Sequence, residues 1–282
     1  MKNSLIYITG ASGFIGSNLI KKYDENNVIY RLVSRKKINN KSSISLKKYR
    51  ELVAEDNSSL IHLAENNRVD EAKLLGKKLI KENTDTMLNL MKNKWKHVVY
   101  LSSALVYDFN NPDYKNGNNM DLIKASSVYQ KSKIECEKIV LEQGGTVLRM
   151  TNIFGPGMSK YNIFSDIINQ LKTNNPIILK NLSSVRDFLW IEDAIEAIIQ
   201  ANKKKVKGIF NIASGRSINI EKLVGKILKI ANKSEKEVIG KEKNLGTLKV
   251  KININKSKEY LDWEPRTSLE NGIKKTLYYK NY

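Results

Sequence analysis

The sequence has little of what secreted or membrane-embedded proteins require. Cys136 is the only cysteine among 282 residues, so no disulfide can form within the chain, and a reducing compartment is expected. No run of about 18 apolar residues occurs, and the chain begins with a strand-like segment instead of an apolar signal block. We therefore expect a soluble, cytoplasmic protein that does not enter a membrane.

Histidine and acidic side chains are also scarce. The two histidines, His62 and His97, lack metal-ligand spacing, so no metal site is predicted. Only 29 Asp and Glu oppose 49 Lys and Arg, which leaves a formal net charge of +20. The lysines are scattered and accompany no nucleic-acid-binding motif, so nucleic acid is not the expected partner. An acidic, phosphorylated ligand fits the charge equally well.

A glycine-rich loop follows the first apolar segment. The strand-like Leu5–Ile8 leads into Gly10, Gly13 and Gly16, and a helical pattern begins at Ser17. This context is typical of a loop that holds the pyrophosphate of a dinucleotide at a helix N-terminus. Gly10 permits the tight turn, Gly13 the close approach of the backbone to the phosphates, and Gly16 the close packing of helix on strand.

Strand-like and helical segments alternate through the first half of the chain. Strands are predicted at Val28–Val33, Ser59–Leu63, Val98–Ser102 and Thr146–Met150, and helices at Val69–Leu90 and about Ser127–Glu142. Alternation of this kind predicts an α/β protein with a Rossmann-type doubly wound parallel sheet, covered by helices on both faces.

After Thr151 the pattern changes to shorter, mixed elements. Amphipathic helices are predicted at Ile163–Leu171, Asp193–Asn202 and Ile220–Ala231, with Asp193 capping the second. We predict a dinucleotide-binding domain at 1–151, to which about 187–213 return. A smaller mixed α/β substrate-binding lobe is predicted from 152–186 and 214–282.

Tyr129 and Lys133 form the first candidate catalytic pair. They lie four residues apart, on one face of a predicted helix. An ammonium favours the phenolate and so lowers the pKa of a tyrosine, which can then exchange a proton with a carbinol oxygen. Ser103 ends the strongest predicted strand, and its hydroxyl could hydrogen-bond the same substrate oxygen.

With these segments the chain resembles the extended short-chain dehydrogenase/reductases of the NAD-dependent epimerase/dehydratase family. The resemblance covers nearly the whole chain and includes the glycine loop, Ile61–Ala64, Arg149–Pro156, Arg186–Asp193, Phe210–Gly215 and Lys256–Pro265. It implies that Tyr129 is the catalytic acid/base, that Lys133 lowers its pKa and holds the nicotinamide ribose, and that Ser103 orients the substrate oxygen.

The resemblance also implies two binding sites and an oligomeric state. The cofactor is expected to contact Gly10, Ser12, Gly13, Phe14, Ile15, Gly16, Ser34, Arg35, Leu63, Ala64, Asn83, Tyr129 and Lys133. A nucleotide diphosphate sugar is expected to contact Ser103, Asn152, Arg186 and Lys243. A salt bridge of Arg186 with Asp187 or Asp193 is the alternative role for that arginine. Members commonly form homodimers through the helices at about 84–93 and 127–142.

The end of the second predicted strand departs from the family pattern. Members that use NAD usually carry an acidic residue there for the ribose 2′-hydroxyl, whereas this chain has Ser34 and Arg35. An arginine matches the oxygens of a 2′-phosphate, so NADP(H) is predicted as the preferred cofactor, with NAD(H) as the alternative.

A second departure narrows the reaction. Ala104 and Leu105 replace the Asp-Glu pair of related 4,6-dehydratases, and the cysteine that C3/C5 epimerases place near Leu105 is absent. Oxidoreduction at one carbon, C4, remains. An NADPH-dependent 4-keto-sugar reductase is favoured because a net reductase must exchange its cofactor, and a 4-epimerase with tightly bound NAD is the alternative. A non-enzymatic dinucleotide- or RNA-binding protein is a distant third, since the catalytic residues are all present.

Overall fold

The structure is a computed structural model, and it describes residues 4–34, 43–45, 49–65, 69–111, 114, 123–242 and 250–279. The strands of the described part are β1 (Ile6–Thr9), β2 (Tyr30–Ser34), β3 (Ser43–Ser45), β4 (Ser59–His62), β5 (His97–Ser103), β6 (Thr146–Met150), β7 (Asn152–Phe154), β8 (Ile177–Leu179), β9 (Val185–Trp190), β10 (Gly208–Ile212), β11 (Ser217–Asn219) and β12 (Val238–Gly240).

Seven of these strands form one parallel sheet. Its order is β3-β2-β1-β4-β5-β6-β10, and every pairing within it is parallel. The direction of winding reverses between β1 and β4, which is where doubly wound sheets bind ligands beyond the carboxyl ends of their strands. The predicted Rossmann-type fold class is therefore confirmed.

The central strands are buried on both faces, which explains their nearly continuous apolar sequences. All four residues of β1 are buried, with Ile6 and Ile8 packed in one apolar cluster and Tyr7 in another. The helices of the described part are α1 (Phe14–Glu25), α2 (Val69–Leu75), α3 (Lys77–Met91), α4 (Val128–Glu142), α5 (Ile163–Leu171), α6 (Ile191–Lys204), α7 (Ile220–Ile230), α8 (Asn255–Leu261) and α9 (Leu269–Tyr279).

Two predicted helices differ from those observed. The segment predicted as one helix over Val69–Leu90 is divided into α2 and α3, because Gly76 takes a left-handed φ of 54°. The prediction that Asp193 caps a helix is wrong, since α6 begins at Ile191. The buried Asp193 carboxylate instead accepts hydrogen bonds from the backbone N–H groups of Arg266 at 3.2 Å and Thr267 at 3.0 Å.

The remaining strands form two small sheets. One has the order β11-β9-β7, and the other pairs β12 with β8. Between β9 and β11 the chain returns to the large sheet, where α6 packs against α1 and β10 pairs with β6. The domain boundaries drawn from the sequence stay a prediction. No helix among the described residues is long and apolar enough to span a membrane.

Candidate active site

A cavity of about 790 Å³ opens beyond the carboxyl ends of β1, β2, β4, β5 and β6. It brings together residues predicted from distant parts of the sequence, and these are Gly10, Ser12, Gly13, Phe14, Ile15, Gly16, Ser34, Leu63, Ala64, Ser103, Tyr129 and Lys133. Its lining also includes residues that the sequence did not single out, among them Tyr49, Glu65, Met150 and Thr151.

The glycine loop has no room for side chains at two positions. Gly10 has a φ of 72°, and a Cβ added there would lie 2.7 Å from backbone atoms of Leu63 and Ala64. A Cβ on Gly16 would lie 2.2 Å from the Gly10 carbonyl oxygen. Helix α1 begins at Phe14 without a side-chain cap, so its first N–H groups suit an anion. The loop therefore fits the pyrophosphate of a dinucleotide.

Ser103 and Tyr129 are positioned by two connected turns. The Ser103 Oγ, at the end of β5, accepts a hydrogen bond from the backbone N–H of Leu105 at 3.2 Å. At the start of α4, Ser127 and Gln130 form a reciprocal capping box that fixes the first turn, which carries Tyr129. The Gln130 amide also donates to the Leu105 carbonyl at 2.6 Å, so the two turns are tied together.

Lys133 lies below Tyr129 in a buried ion pair. Its Nζ contacts the carboxylate of Glu65 and donates to the Leu101 carbonyl at 2.8 Å. The Lys133 and Glu65 side chains are 5% and 3% exposed, and the Nζ lies 6.0 Å from the centroid of the Tyr129 ring. Burial is the largest single influence and lowers the pKa of Lys133, but Glu65, Tyr129 and Cys136 together raise it, and the net effect is a raised pKa.

Glu65 is a functional candidate that the sequence reasoning missed. Its Oε1 accepts a hydrogen bond from the Tyr100 hydroxyl at 2.6 Å, and burial together with this carboxylate raises the pKa of Tyr100 well above its usual value. One signal in the sequence could have found it. Glu65 directly follows Leu63 and Ala64, which were predicted to line the cofactor site.

Thr9 organises the loop that follows β4. Its Oγ1 accepts from the backbone N–H groups of Leu63 at 3.1 Å and Ala64 at 3.2 Å, so its proton is directed to Nδ1 of His62 at 2.7 Å. Burial lowers the pKa of His62 to about 4, so the ring is neutral near pH 7. His62 therefore has a structural role.

Asn83 does not line the cavity. Its Nδ2 donates to the Ser132 Oγ at 2.9 Å, one residue before Lys133 in α4. A role of Asn83 in cofactor binding stays a prediction.

The predicted substrate residues Asn152 and Arg186 lie on adjacent strands, outside the lining of the large cavity. The amide of Asn152 donates to the Asp187 carbonyl at 3.1 Å. Arg186 donates to the Val185 carbonyl at 3.3 Å and has no ion pair with a described residue, while burial lowers its pKa. The alternative salt bridge with Asp187 or Asp193 is thus not formed.

Arg35 and Lys243 lie outside the described residues.

A second buried ion pair anchors α4 to the sheet. Arg149 of β6 donates through Nε to the Glu137 carboxylate at 3.0 Å, and the Ser102 hydroxyl contacts the same carboxylate. Cys136 is buried nearby, and burial raises the pKa of its thiol. Among the described residues, no group of three or more His, Cys, Asp and Glu side chains is placed to hold a metal.

Comparison with known proteins gives a consistent family and fold. The model of the NAD-dependent epimerase/dehydratase family matches residues 6–213. The chain is 28% identical to the dTDP-4-dehydro-6-deoxyglucose reductase of Escherichia coli, over 98% of this chain and 97% of that protein. It is 23% identical to a putative UDP-glucose 4-epimerase of Methanocaldococcus jannaschii, over 97% of each chain.

Two solved structures share the fold over 98% of both chains. The UDP-glucose 4-epimerase of Thermotoga maritima, solved with UDP-glucose, has a TM-score of 0.84 and 24% identity. RMD of Pseudomonas aeruginosa, solved with NADPH, has a TM-score of 0.84 and 20% identity.

Proposed function

This chain belongs to the NAD-dependent epimerase/dehydratase family, and from that premise we propose that it is an NADPH-dependent reductase of a nucleotide-activated 4-keto sugar. The observation that carries the proposal is the meeting of Ser103, Tyr129 and Lys133 in one cavity with a glycine loop that fits a dinucleotide. Tyr129 is the acid, Ser103 the orienting hydroxyl and Lys133 the cation that a carbonyl reduction requires.

The chain's own residues supply the proton and the orientation. Tyr129 donates its phenolic proton to the C4 carbonyl oxygen, and the Ser103 hydroxyl donates a hydrogen bond to the same oxygen. Lys133 places a positive charge 6.0 Å from the centroid of the Tyr129 ring. A reduced nicotinamide, when bound, supplies the hydride to C4. The ketone thereby gains a hydride at carbon and a proton at oxygen.

The turn after Ser103 argues against elimination chemistry. Ala104 is buried and Leu105 is 38% exposed, and neither can act as an acid or a base. The reaction expected from this site is therefore transfer of a hydride and a proton at C4, without loss of water from the sugar.

The residues at and after the end of β2 support NADPH over NADH as the donor. Ser34 ends β2 and lines the cavity, and Ser34, Arg35 and Lys36 include no carboxylate to bind a ribose 2′-hydroxyl. Structural neighbours of this chain are solved with NAD or with NADPH, so the fold itself accepts either.

The substrate is proposed to be a nucleotide diphosphate sugar. Arg186 supplies a fixed positive charge, with Asn152 on the adjacent strand, and Lys243 supplies a second charge for the diphosphate. The relative in Escherichia coli, which matches along nearly its whole length, carries the name of a 4-keto-sugar reductase. That likeness supports a reductase over the other reactions of the family.

The test is incubation of the protein with a nucleoside diphosphate 4-keto-6-deoxyhexose and NADPH. A reductase consumes one NADPH for each alcohol formed. The loss of NADPH absorbance measures the first quantity, and analysis of the sugar product measures the second. The 4-epimerase remains the second candidate, supported by the epimerase relative of Methanocaldococcus jannaschii. It would form a sugar isomer with no net change in cofactor, and that result would replace the reductase proposal.

We also propose that the protein works as a homodimer in the cytoplasm. Helices α3 and α4 pack side by side, and Leu88 of α3 is 52% exposed, as suits an interface. The single cysteine fits a reducing compartment. Light scattering should give twice the chain mass, and Leu88→Lys should shift the protein toward monomer. A monomeric wild-type protein would contradict the dimer.

A further inference from the structure

We propose that Glu65 is a positioning residue for this reaction, whose buried carboxylate holds the Lys133 ammonium below Tyr129 and balances its charge. The inference rests on the proposed function, because it assigns a role to Glu65 in the same carbonyl reduction. Three features of the described site carry it: the hydrogen bonds of the carboxylate, those of the ammonium, and the burial of both.

The carboxylate of Glu65 is buried and is held by two hydrogen-bond donors. It follows the cavity-lining residues Leu63 and Ala64, yet only 3% of its side chain is exposed. One oxygen accepts from the Tyr100 hydroxyl, and the other contacts Lys133 Nζ. Two donors from different elements, β5 and α4, therefore hold a single carboxylate in one orientation.

The ammonium is correspondingly constrained. Of its three N–H donors, two are used by the Glu65 carboxylate and by the Leu101 carbonyl at 2.8 Å. Among the contacts of the described residues, one donor of Lys133 is left for a ligand in the cavity. A flexible lysine is thus restricted to one position, which reduces the entropy lost when a ribose hydroxyl is bound.

Burial makes the charge of Glu65 necessary. A buried ammonium without a counter-ion is costly and tends to lose its proton. The groups that face Lys133 are His62 on β4, Glu65 after it, Tyr100 and the Leu101 carbonyl on β5, and Tyr129 and Cys136 on α4. Among these, Glu65 supplies the carboxylate, while burial lowers the pKa of His62 to about 4 and raises the pKa values of the Tyr100 phenol and the Cys136 thiol.

The direction of the pH effect follows from this arrangement. Glu65 raises the pKa of Lys133 against the opposing effect of burial. Replacing the carboxylate by a neutral amide removes that effect, so Lys133 loses its proton at lower pH. Ketone reduction needs the charged lysine, and its rate should therefore decline at a lower pH than in the wild type.

The experiment compares Glu65→Gln with Glu65→Asp and Glu55→Gln. Glu65→Gln keeps the size of the side chain and removes its charge, whereas Glu65→Asp keeps the charge. Glu55→Gln is the matched control, since it changes the net charge equally at a side chain that is 56% exposed and pairs with Arg31. The kcat, the KM for NADPH and the thermal midpoint are measured between about pH 6 and pH 9.5.

For Glu65→Gln we expect kcat to fall toward the alkaline end of this range, to about one tenth of the wild-type value, whereas in the wild type the raised pKa of Lys133 keeps the lysine charged. Near pH 6.5 its kcat should stay within about threefold of the wild type, because Lys133 is still charged there. Glu65→Asp and Glu55→Gln should keep the wild-type pH profile. An unchanged profile in Glu65→Gln, or a loss that is equal at every pH and follows the thermal midpoint, would overturn the proposal.

A binding measurement separates this inference from the proposed function. The Kd for NADPH, followed by cofactor fluorescence, is determined over the same pH range. If the wild type binds NADPH but reduces no keto sugar, the reductase proposal fails. The role of Glu65 is then judged by NADPH binding alone. As the pH rises, the Kd for NADPH should begin to increase at a lower pH in Glu65→Gln than in Glu55→Gln. Identical Kd profiles would overturn it.

Discussion

The side-chain amide of Gln130 donates a hydrogen bond to the backbone carbonyl of Leu105 across 2.6 Å. The same side chain completes the capping box at the start of α4, so it joins the turn after Ser103 to the turn that carries Tyr129. The relative placement of the Ser103 and Tyr129 hydroxyls, for which we propose catalytic roles, therefore depends on one glutamine outside the proposed catalytic set.

Gln130→Glu should lower kcat by about tenfold with little change in the KM for NADPH. The substitution displaces the Tyr129 hydroxyl from the substrate oxygen, which slows the reaction, but it leaves the dinucleotide contacts in place. The glutamate keeps the acceptor for the Ser127 N–H but places an oxygen against the Leu105 carbonyl. Steady-state kinetics with NADPH and the keto sugar test this. Ser126→Ala is the control, since it removes only an exposed hydrogen bond to Gln130. Wild-type kcat in Gln130→Glu would contradict the positioning role.

Substituting Gly16 should disrupt the glycine loop. A Cβ there would lie 2.2 Å from the Gly10 carbonyl, so Gly16→Ala must displace α1 from the loop. We expect a loss of about 1–3 kcal/mol in the free energy of unfolding and NADPH binding weakened by about tenfold or more. Denaturant unfolding and fluorescence titration measure both.

Gly225→Ala is the matched control for a glycine in a helix. A Cβ on Gly225, within α7, meets no atom within 4 Å. Alanine has the higher helix propensity, so this variant should gain about 0.5–1 kcal/mol of stability and bind NADPH as the wild type does. Equal effects of the two substitutions would show that the close contact at Gly16 is unimportant.

Arg35→Ala should lower kcat/KM for NADPH by about tenfold or more and leave kcat/KM for NADH nearly unchanged, because only NADPH carries the 2′-phosphate. Lys36→Ala removes the adjacent positive charge and is the control for a general electrostatic effect. Steady-state kinetics with both cofactors give the comparison. A wild-type preference for NADH would refute the assignment of NADP(H), and equal losses in the two variants would refute the specific role of Arg35.

Acid should destabilise the protein through its two histidines. Burial is the main cause that lowers the pKa of both His62 and His97 to about 4, and the charges of Lys205 and Lys207 contribute at His97. The unfolded chain binds these protons near pH 6.5, so between about pH 6.5 and pH 4 it holds more protons than the folded chain, and the free energy of unfolding falls. Each histidine should contribute about 3 kcal/mol to this loss, and nothing further below pH 4.

His62→Asn and His97→Gln test this assignment. Asparagine keeps an acceptor for the Thr9 hydroxyl, and glutamine keeps a donor to Thr146, whose hydroxyl itself contacts the Val206 carbonyl. Urea unfolding at several pH values should show a flatter dependence between pH 6.5 and pH 4 in each variant. An unchanged slope in both would mean that carboxylates, and not the histidines, control stability in this range.

Much of the architecture was predictable because its signals are local. The glycine loop, the apolar strands and helix α5, which spans the predicted Ile163–Leu171, depend on residues close together in sequence. A parallel sheet then brings the strand ends to one edge, which accounts for Ser103 and the glycine loop lining one cavity. The errors at Gly76 and Asp193 arose where apolar periodicity continued past a break or where a carboxylate had a distant partner.

The sequence by itself determined the family, the parallel sheet and the presence of the tyrosine, lysine and serine that we propose for carbonyl chemistry. Only the tertiary structure decided what surrounds them. Glu65 lies 68 residues from Lys133 and 35 from Tyr100, and no local pattern links the three. Their contact arises because β4, β5 and α4 pack together in a buried region, where a charge is retained only if an opposite charge lies beside it.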